Sequence, residues 1–340
     1  MLKTKRNCVS LVVVFILGVL GTVMMSSTAF AMGDASGTTA SMQEIVSNQL
    51  TDGGWRKDYT ETKGDWAKST IDNKATYTEI ERLAKAYKDD TSKSDYKAAC
   101  IKGINFLLTM QYANGGWPQI YGGSGYHQAI TYNDDAMINV MICLDEVSKK
   151  TGDFTFIDND LADKCKTAVT KGVDCLLNSQ YKSGTTLQAW CQQHDKTTLK
   201  PTSARAYELA SLCSKESVSI VKFLKTRNAT TAITASITAA QNWFETVKIT
   251  GINVVKANGD VTVVHDFSTP PIWARFYELE TNKPIFANRL GEVKYNLAEI
   301  EQERRIGYRW YGDWPSTLSS STQKMINFPL INFYYLIYLL

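Results

Sequence analysis

The chain has 340 residues, 44% hydrophobic and 21% charged, with 21 glycines and 7 prolines. Those proportions belong to globular proteins and exclude a disordered, collagen-like or coiled-coil chain. The formal charge of +3 rests on residues 1–31, which hold three of the 37 bases and none of the 34 acids. The remainder is balanced, without the basic excess that nucleic-acid binding calls for.

Lys3, Lys5 and Arg6 precede an almost unbroken apolar run from Val12 to Met25, and Ala29-Phe30-Ala31 gives a small-x-small cleavage pattern. Residues 1–31 therefore read as a secretory signal peptide, with an apolar run short for a bilayer span. A secreted, extracellular protein is expected, without a membrane partner once the signal is removed. Residues 32–340 are read as one domain: no linker or charge block divides them, and they suffice for one large core. Apolar residues at three- and four-residue intervals predict helices over 77–87, 96–111, 136–149, 161–180, 204–212 and 232–247. Alternation on either side of Asn258-Gly259-Asp260 predicts a β-hairpin within 251–265. The apolar end, 325–340, contains Pro329, is too short to span a membrane, and is expected to close the core as a helix.

Six cysteines remain after the signal, and export permits disulfides. None has C-x-x-C spacing, and Cys143, in an apolar run, reads as a buried thiol. His127, His194 and His265 are too scattered for zinc.

An internal repeat is the most informative feature. One helix ends in Gln49-Leu50-Thr51-Asp52-Gly53-Gly54-Trp55 and another in Gln111-Tyr112-Ala113-Asn114-Gly115-Gly116-Trp117. Trp55 to Asp72 is 17 residues, and Trp117 to Asp134 is again 17. Asp72-Asn73 and Asp134-Asp135 each precede an amphipathic helix. A weaker third copy has Gln180, Gly184 and Trp190, with Arg205 at the start of the helix predicted over 204–212. Glycine at a helix end adopts the left-handed conformation that releases the terminal carbonyls. Antiparallel hairpins repeated in this way build an all-α dominated (α/α) toroid of three hairpins, with a small accessory β-hairpin region. Asp72, Asp134 and Arg205 would meet on one rim. Helix capping is the plainer role for each aspartate. Their matched offsets argue instead for a shared site, and clustered carboxylate and amide oxygens suit calcium.

Six motifs carry a resemblance: residues 114–119 (Asn-Gly-Gly-Trp-Pro-Gln), 132–137 (Tyr-Asn-Asp-Asp-Ala-Met), 190–195 (Trp-Cys-Gln-Gln-His-Asp), 203–208 (Ser-Ala-Arg-Ala-Tyr-Glu), 271–278 (Pro-Ile-Trp-Ala-Arg-Phe-Tyr-Glu) and 309–312 (Arg-Trp-Tyr-Gly). Together, from about Glu44 onward, the chain resembles the pectate lyases of polysaccharide lyase family 10. The resemblance implies calcium-assisted, endo-acting cleavage of polygalacturonate by anti β-elimination. It also implies calcium ligands at Asp72, Asn73 and Asp134, with Asp135 as the alternative partner. Arg205 matches the proton-abstracting base. Arg275 and Arg289 match arginines that hold substrate carboxylates, although Arg304, Arg305 and Arg309 lie near Arg289. A monomer is expected.

The chemistry suits these residue types. Arginine forks bind carboxylates bidentately, and a metal on the C6 carboxylate stabilises charge that develops when the C5 proton leaves. An arginine base is unfavourable at its ordinary pKa; crowding by calcium and other guanidinium groups is expected to lower it. The alternative is Arg205 as a clamp, with water or hydroxide as base. Trp190, in a polar stretch, is expected to be a sugar platform with His194 as a substrate hydrogen-bonding group, whereas Trp55 and Trp117 suit packing between hairpins. Two other readings stay open: a glycoside hydrolase using Asp72 and Asp134, and a non-catalytic polygalacturonate-binding protein.

Overall fold

The computed structural model describes residues 34–318. The signal segment 1–31 and the apolar end 325–340 lie outside the described residues.

Helices dominate. They are α1 (Met42–Asn48), α2 (Tyr77–Asp89), α3 (Ser94–Met110), α4 (Ala136–Lys149), α5 (Asn159–Ser179), α6 (Ser214–Lys225), α7 (Thr231–Thr246) and α8 (Gln302–Gly307). Three pairs form hairpins, α2 with α3, α4 with α5 and α6 with α7. One row runs α2, α4, α6 and the other α1, α3, α5, α7, each helix touching the next in its row. The predicted helix over 204–212 is absent. Residues 203–211 form a tight turn, with Ala204 N donating to Glu208 O (2.9 Å) and Glu208 N to Arg205 O (2.8 Å), and the helix starts at Ser214. The predicted hairpin is present as Ile252–Ala257 paired with Asp260–His265.

The repeat has a physical basis. Gln49 Nε2 donates to Gly53 O (2.8 Å) in its own turn and to Ala99 O (2.9 Å) on the next helix of its row. Gln111 does the same to Gly115 O (3.0 Å) and Ala168 O (2.9 Å). Gln180 reaches Gln188 O (2.8 Å) and Ser236 O (3.0 Å). Each glutamine amide thus ties its own turn to a backbone carbonyl inside the next helix of the row. The third copy is longer because the small Lys182–Ser183/Thr186–Leu187 hairpin is inserted between glutamine and tryptophan.

The three tryptophans are equivalent and wholly buried. Their indole N–H groups donate to Ile45 O (2.7 Å), Leu107 O (2.8 Å) and Leu176 O (2.8 Å). This corrects the expectation for Trp190: like Trp55 and Trp117 it is a core residue with no face for a sugar. All six cysteines, Cys100, Cys143, Cys165, Cys175, Cys191 and Cys213, are buried and free, so none is used as a staple.

Short strands cover one end. Leu212–Cys213 pairs with Phe276–Tyr277, which continues through Pro284–Ala287 to Val293–Lys294. Trp273–Ala274 pairs with Tyr311–Gly312. Arg275, lying between these pairings, is fixed by its own N–H on Trp310 O (2.7 Å) and by Ser214 N on its carbonyl (3.0 Å).

Candidate active site

The turns that open α2, α4 and α6 line an open cleft of about 430 Å³. Asp72, Asn73, Asp134, Arg205 and Arg275 all line it, and so do Trp66, Tyr126, Lys215, Glu208, Arg304 and Tyr308. Asp72, Asp134 and Arg205 therefore do share one rim.

The matched 17-residue offsets are out of register by one. Thr70 N closes on Trp55 O (3.0 Å), Thr131 N on Trp117 O (3.1 Å) and Cys213 N on Trp190 O (2.8 Å). Counting from those amides, Asp72, Asn133 and Lys215 are equivalent, as are Asn73, Asp134 and Glu216. Backbone geometry agrees for the first two copies: Asn73 (φ 46°) and Asp134 (φ 50°) are both left-handed, a conformation that Asn and Asp tolerate through local hydrogen bonding. The first loop simply has one residue more. The third-copy counterparts are Lys215 and Glu216, not Arg205, which enters from the 203–211 turn. Capping is not the aspartates' role: neither α2 nor α4 has a side-chain cap at its N-terminus.

Asp72 is buried and already engaged. Lys57 Nζ donates to its Oδ2 (3.0 Å) and to Asn73 Oδ1 (2.7 Å), while Gln119 Nε2 donates to Asp72 Oδ1 (2.9 Å). Asp134 is half-exposed and held loosely. Asn133 Nδ2 donates to Oδ2 (3.0 Å), and Lys215 Nζ and Arg275 Nη2 stand 3.4 and 3.7 Å from Oδ1. Asp135 is more buried, and burial raises its pKa. Among the described residues no three carboxylate, imidazole or thiolate groups form a ready-made cation cage. Calcium needs oxygen donors at ~2.3–2.6 Å. Asp134 fits that requirement as a single protein carboxylate, whereas Asp72 and Asn73 do not fit while an ammonium sits between them.

Below Asp134 lies Glu216, fully buried. Arg275 Nη2 (2.7 Å), Lys215 Nζ (3.3 Å) and Gln192 Nε2 (3.1 Å) surround its Oε1, and Cys213 Sγ donates to Oε2. Burial alone would raise its pKa, but Arg275 and Lys215 overcome it and hold the carboxyl at about 2. The same attraction outweighs burial to push Arg275 and Lys215 above their ordinary values. Arg275 also stacks on Tyr308, 4.6 Å from the ring centroid.

Arg205 is gripped bidentately by Glu208, Nε to Oε2 (2.8 Å) and Nη2 to Oε1 (2.5 Å). Burial lowers its pKa, but the Glu208 hydrogen bonds and charge more than reverse that, so the guanidinium is raised. Its nearest charge is the Glu208 carboxylate rather than another guanidinium.

Arg289 lies outside the cleft, half-exposed and paired with Glu303 (2.6 Å). Arg304 stands in the cleft instead. It is buried, 3.4 Å above the Tyr207 ring centroid, with Nε and Nη2 lacking hydrogen-bond partners among the described residues. His194 is also corrected. Fully buried, it accepts from Cys191 N at Nε2 (3.1 Å), which places the proton on Nδ1 facing Leu199 O (2.8 Å). Burial lowers its pKa to about 4, so it is a neutral core residue. The tryptophan that does line the cleft is Trp66, edge-on to His127 at 5.1 Å.

Sequence reading gave no role to Lys57, Gln119, Glu208, Lys215 and Glu216, and named Arg304 only as a neighbour of Arg289. Only the repeat could have pointed to Lys215 and Glu216, and the long excursion between Trp190 and Cys213 hid that register.

The sequence profile described as pectic acid lyase matches residues 35–319. Among solved structures, a point mutant of a family 10 polysaccharide lyase from Cellvibrio cellulosa, in complex with trigalacturonic acid, is 34% identical. The match covers 84% of this chain and 93% of that one, with a TM-score of 0.76. The family 10 polysaccharide lyase from the same organism is 32% identical over 85% and 93%, also with a TM-score of 0.76. No curated protein gives a significant match. The profile spans every cleft residue except Asp34, and on that agreement of sequence and architecture the chain belongs to the pectic acid lyases, as a family 10 polysaccharide lyase.

Proposed function

We propose that the protein is a secreted, calcium-dependent pectate lyase that cleaves polygalacturonate internally by anti β-elimination, on helical rows that close into an (α/α) toroid. The observation that carries this reading is that Arg205, Lys215, Arg275 and Arg304 line one cleft with the half-exposed Asp134, Lys215 and Arg275 standing beside it. A polymer with a carboxylate on every sugar matches such a row of cations, and trigalacturonic acid in the similar structure supports it. Asp134 is the residue that would hold calcium, with substrate carboxylates supplying further oxygens. A bound calcium contributes Lewis acidity at the C6 carboxylate.

The chain's own groups do the rest. Arg304 lines the cleft and supplies positive charge for a substrate carboxylate. Arg275, fixed by Glu216, keeps positive charge beside the acceptor that gains electron density as C5 loses its proton. The C5–H electron pair forms the C4–C5 double bond, the C4–O4 bond breaks, and the departing oxygen takes a proton from solvent. In this reading Arg205 first gives up a proton to solvent at alkaline pH, and the neutral guanidine then accepts the C5 proton. Its pairing with Glu208 favours a second reading, in which Arg205 stays cationic and hydroxide is the base.

The test is ultraviolet absorbance with polygalacturonate, with and without a calcium chelator. A growing absorbance that the chelator abolishes is expected. Full activity in excess chelator overturns the metal requirement, new reducing ends without absorbance select hydrolysis, and binding without product selects a non-catalytic protein.

A further inference from the structure

We infer that Lys57 is a built-in counter-cation that withholds Asp72 and Asn73 from calcium in the substrate-free protein. The inference rests on the calcium-dependent reading above and concerns how the metal is admitted. Lys57 is 7% exposed. Its ammonium bridges Asp72 Oδ2 (3.0 Å) and Asn73 Oδ1 (2.7 Å), the two oxygens that a divalent cation would need there. The remaining Asp72 oxygen receives the Gln119 amide (2.9 Å). A calcium ion at ~2.3–2.6 Å from those oxygens would press against the ammonium, and two cations that close in a poorly hydrated place repel strongly.

The lysine is not a stray surface side chain. Its carbonyl accepts from Ser36 N (2.8 Å), its ammonium lies 5.5 Å from the Trp66 ring centroid, and the left-handed turn at Asn73 is pinned by Ala35 N on Asn73 O (2.8 Å). Ammonium and turn are thus held from both sides. The consequence is that, of Asp72, Asn73 and Asp134, only Asp134 stays open to calcium in the free protein. Calcium then binds weakly alone and gains its other oxygens only with a polyuronate, which couples metal uptake to substrate.

The experiment is a calorimetric titration of calcium chloride into the purified protein without any oligogalacturonide. Lys57→Met, which keeps the stem and removes the charge, is expected to bind calcium at least ~10-fold more tightly than the unaltered protein, and Lys57→Met/Asp72→Asn is expected to lose that gain. A folded Lys57→Met with unchanged or weaker calcium affinity overturns the inference. Should Lys57→Met fail to give a native circular-dichroism spectrum, Asp72→Asn alone decides. Unchanged substrate-free calcium affinity supports the inference, and a ~10-fold fall overturns it. Failure of the lyase reading shows separately, as absence of unsaturated product from polygalacturonate.

Discussion

Glu216 illustrates how a single buried carboxylate organises the cleft. It carries Arg275, Lys215, Gln192 and Cys213 on two oxygens, and leaving the two cations without it strands buried charge. Breaking such a pair costs about 3–5 kcal/mol, so Glu216→Gln is expected to lower stability by that order at neutral pH. The sign with pH follows from its folded value of about 2 against an ordinary 4.5. Because the folded pKa is depressed, the stabilisation is complete above pH 4.5 and disappears as pH falls through about 2. Urea unfolding of wild type and variant should therefore converge towards pH 2; a constant gap would refute the charge argument. For Arg205, the carboxylate partner supplies a discriminating variant. Glu208 raises the Arg205 pKa, so Glu208→Gln lowers it. If Arg205 is the base, the alkaline rise of kcat moves to lower pH in Glu208→Gln, and Arg205→Lys loses ~10²-fold or more in kcat. If hydroxide is the base, the position of that rise is unchanged. Arg304→Lys should instead raise KM, because the lysine loses the planar fork.

At the scale of elements, the hairpin turns are built for packing rather than recognition. Trp190 is covered completely and hydrogen-bonded within the core. Trp190→Ala is expected to cost about 3–5 kcal/mol of stability while leaving the KM of any remaining folded enzyme near its original value; a KM effect without a stability loss would restore the sugar-platform role. Gly115 is stricter still. Its φ is +91°, and a Cβ there would stand 2.0 Å from the Lys171 carbonyl oxygen on α5. Gly115→Ala must therefore separate the turn from the neighbouring helix as well as strain its own backbone. A lowered thermal midpoint is the expected measurement.

For the molecule as a whole, the repeats place chemically different residues at equivalent positions around one cleft. Asn73, Asp134 and Glu216 occupy the same point of the three copies, yet one is held by lysine, one faces solvent and one is buried under arginine. In the calcium-dependent reading proposed above, that asymmetry gives one copy the metal-accepting position and the other two electrostatic supports. Asp134→Ala is accordingly expected to reduce lyase activity by orders of magnitude with an unchanged helical circular-dichroism spectrum. Export is checked on the mature protein: amino-terminal sequencing should begin at Met32, after Ala31, and an intact Met1 would overturn the signal-peptide reading.

Local information determined most of the long helices, α6 excepted, because a three- to four-residue apolar period is satisfied by burying one helical face. α2, α3, α4, α5 and α7 fall where that period places them, and the 252–265 hairpin follows from alternation around Asn258-Gly259. The repeated Gln…Gly-Gly-Trp turns brought Asp72 and Asp134 to one cleft because repeats impose near-equivalent places, whereas Arg275 was legible only through the family resemblance and Arg205 through a repeat register that the structure does not keep. Only the tertiary structure decided register and partners. A one-residue difference in loop length placed Asp72 level with Asn133 rather than Asp134, and an inserted hairpin and a long turn disguised the third copy. Exposure cannot be read from neighbours along the chain, so the polar stretch around Trp190 and His194 looked like a surface. Contacts between residues far apart in sequence set the electrostatics: Lys57 on Asp72, Arg275 on Glu216 and the unpaired Arg304 in place of Arg289. Charge pairing depends on distances in space, which only the assembled hairpins fix.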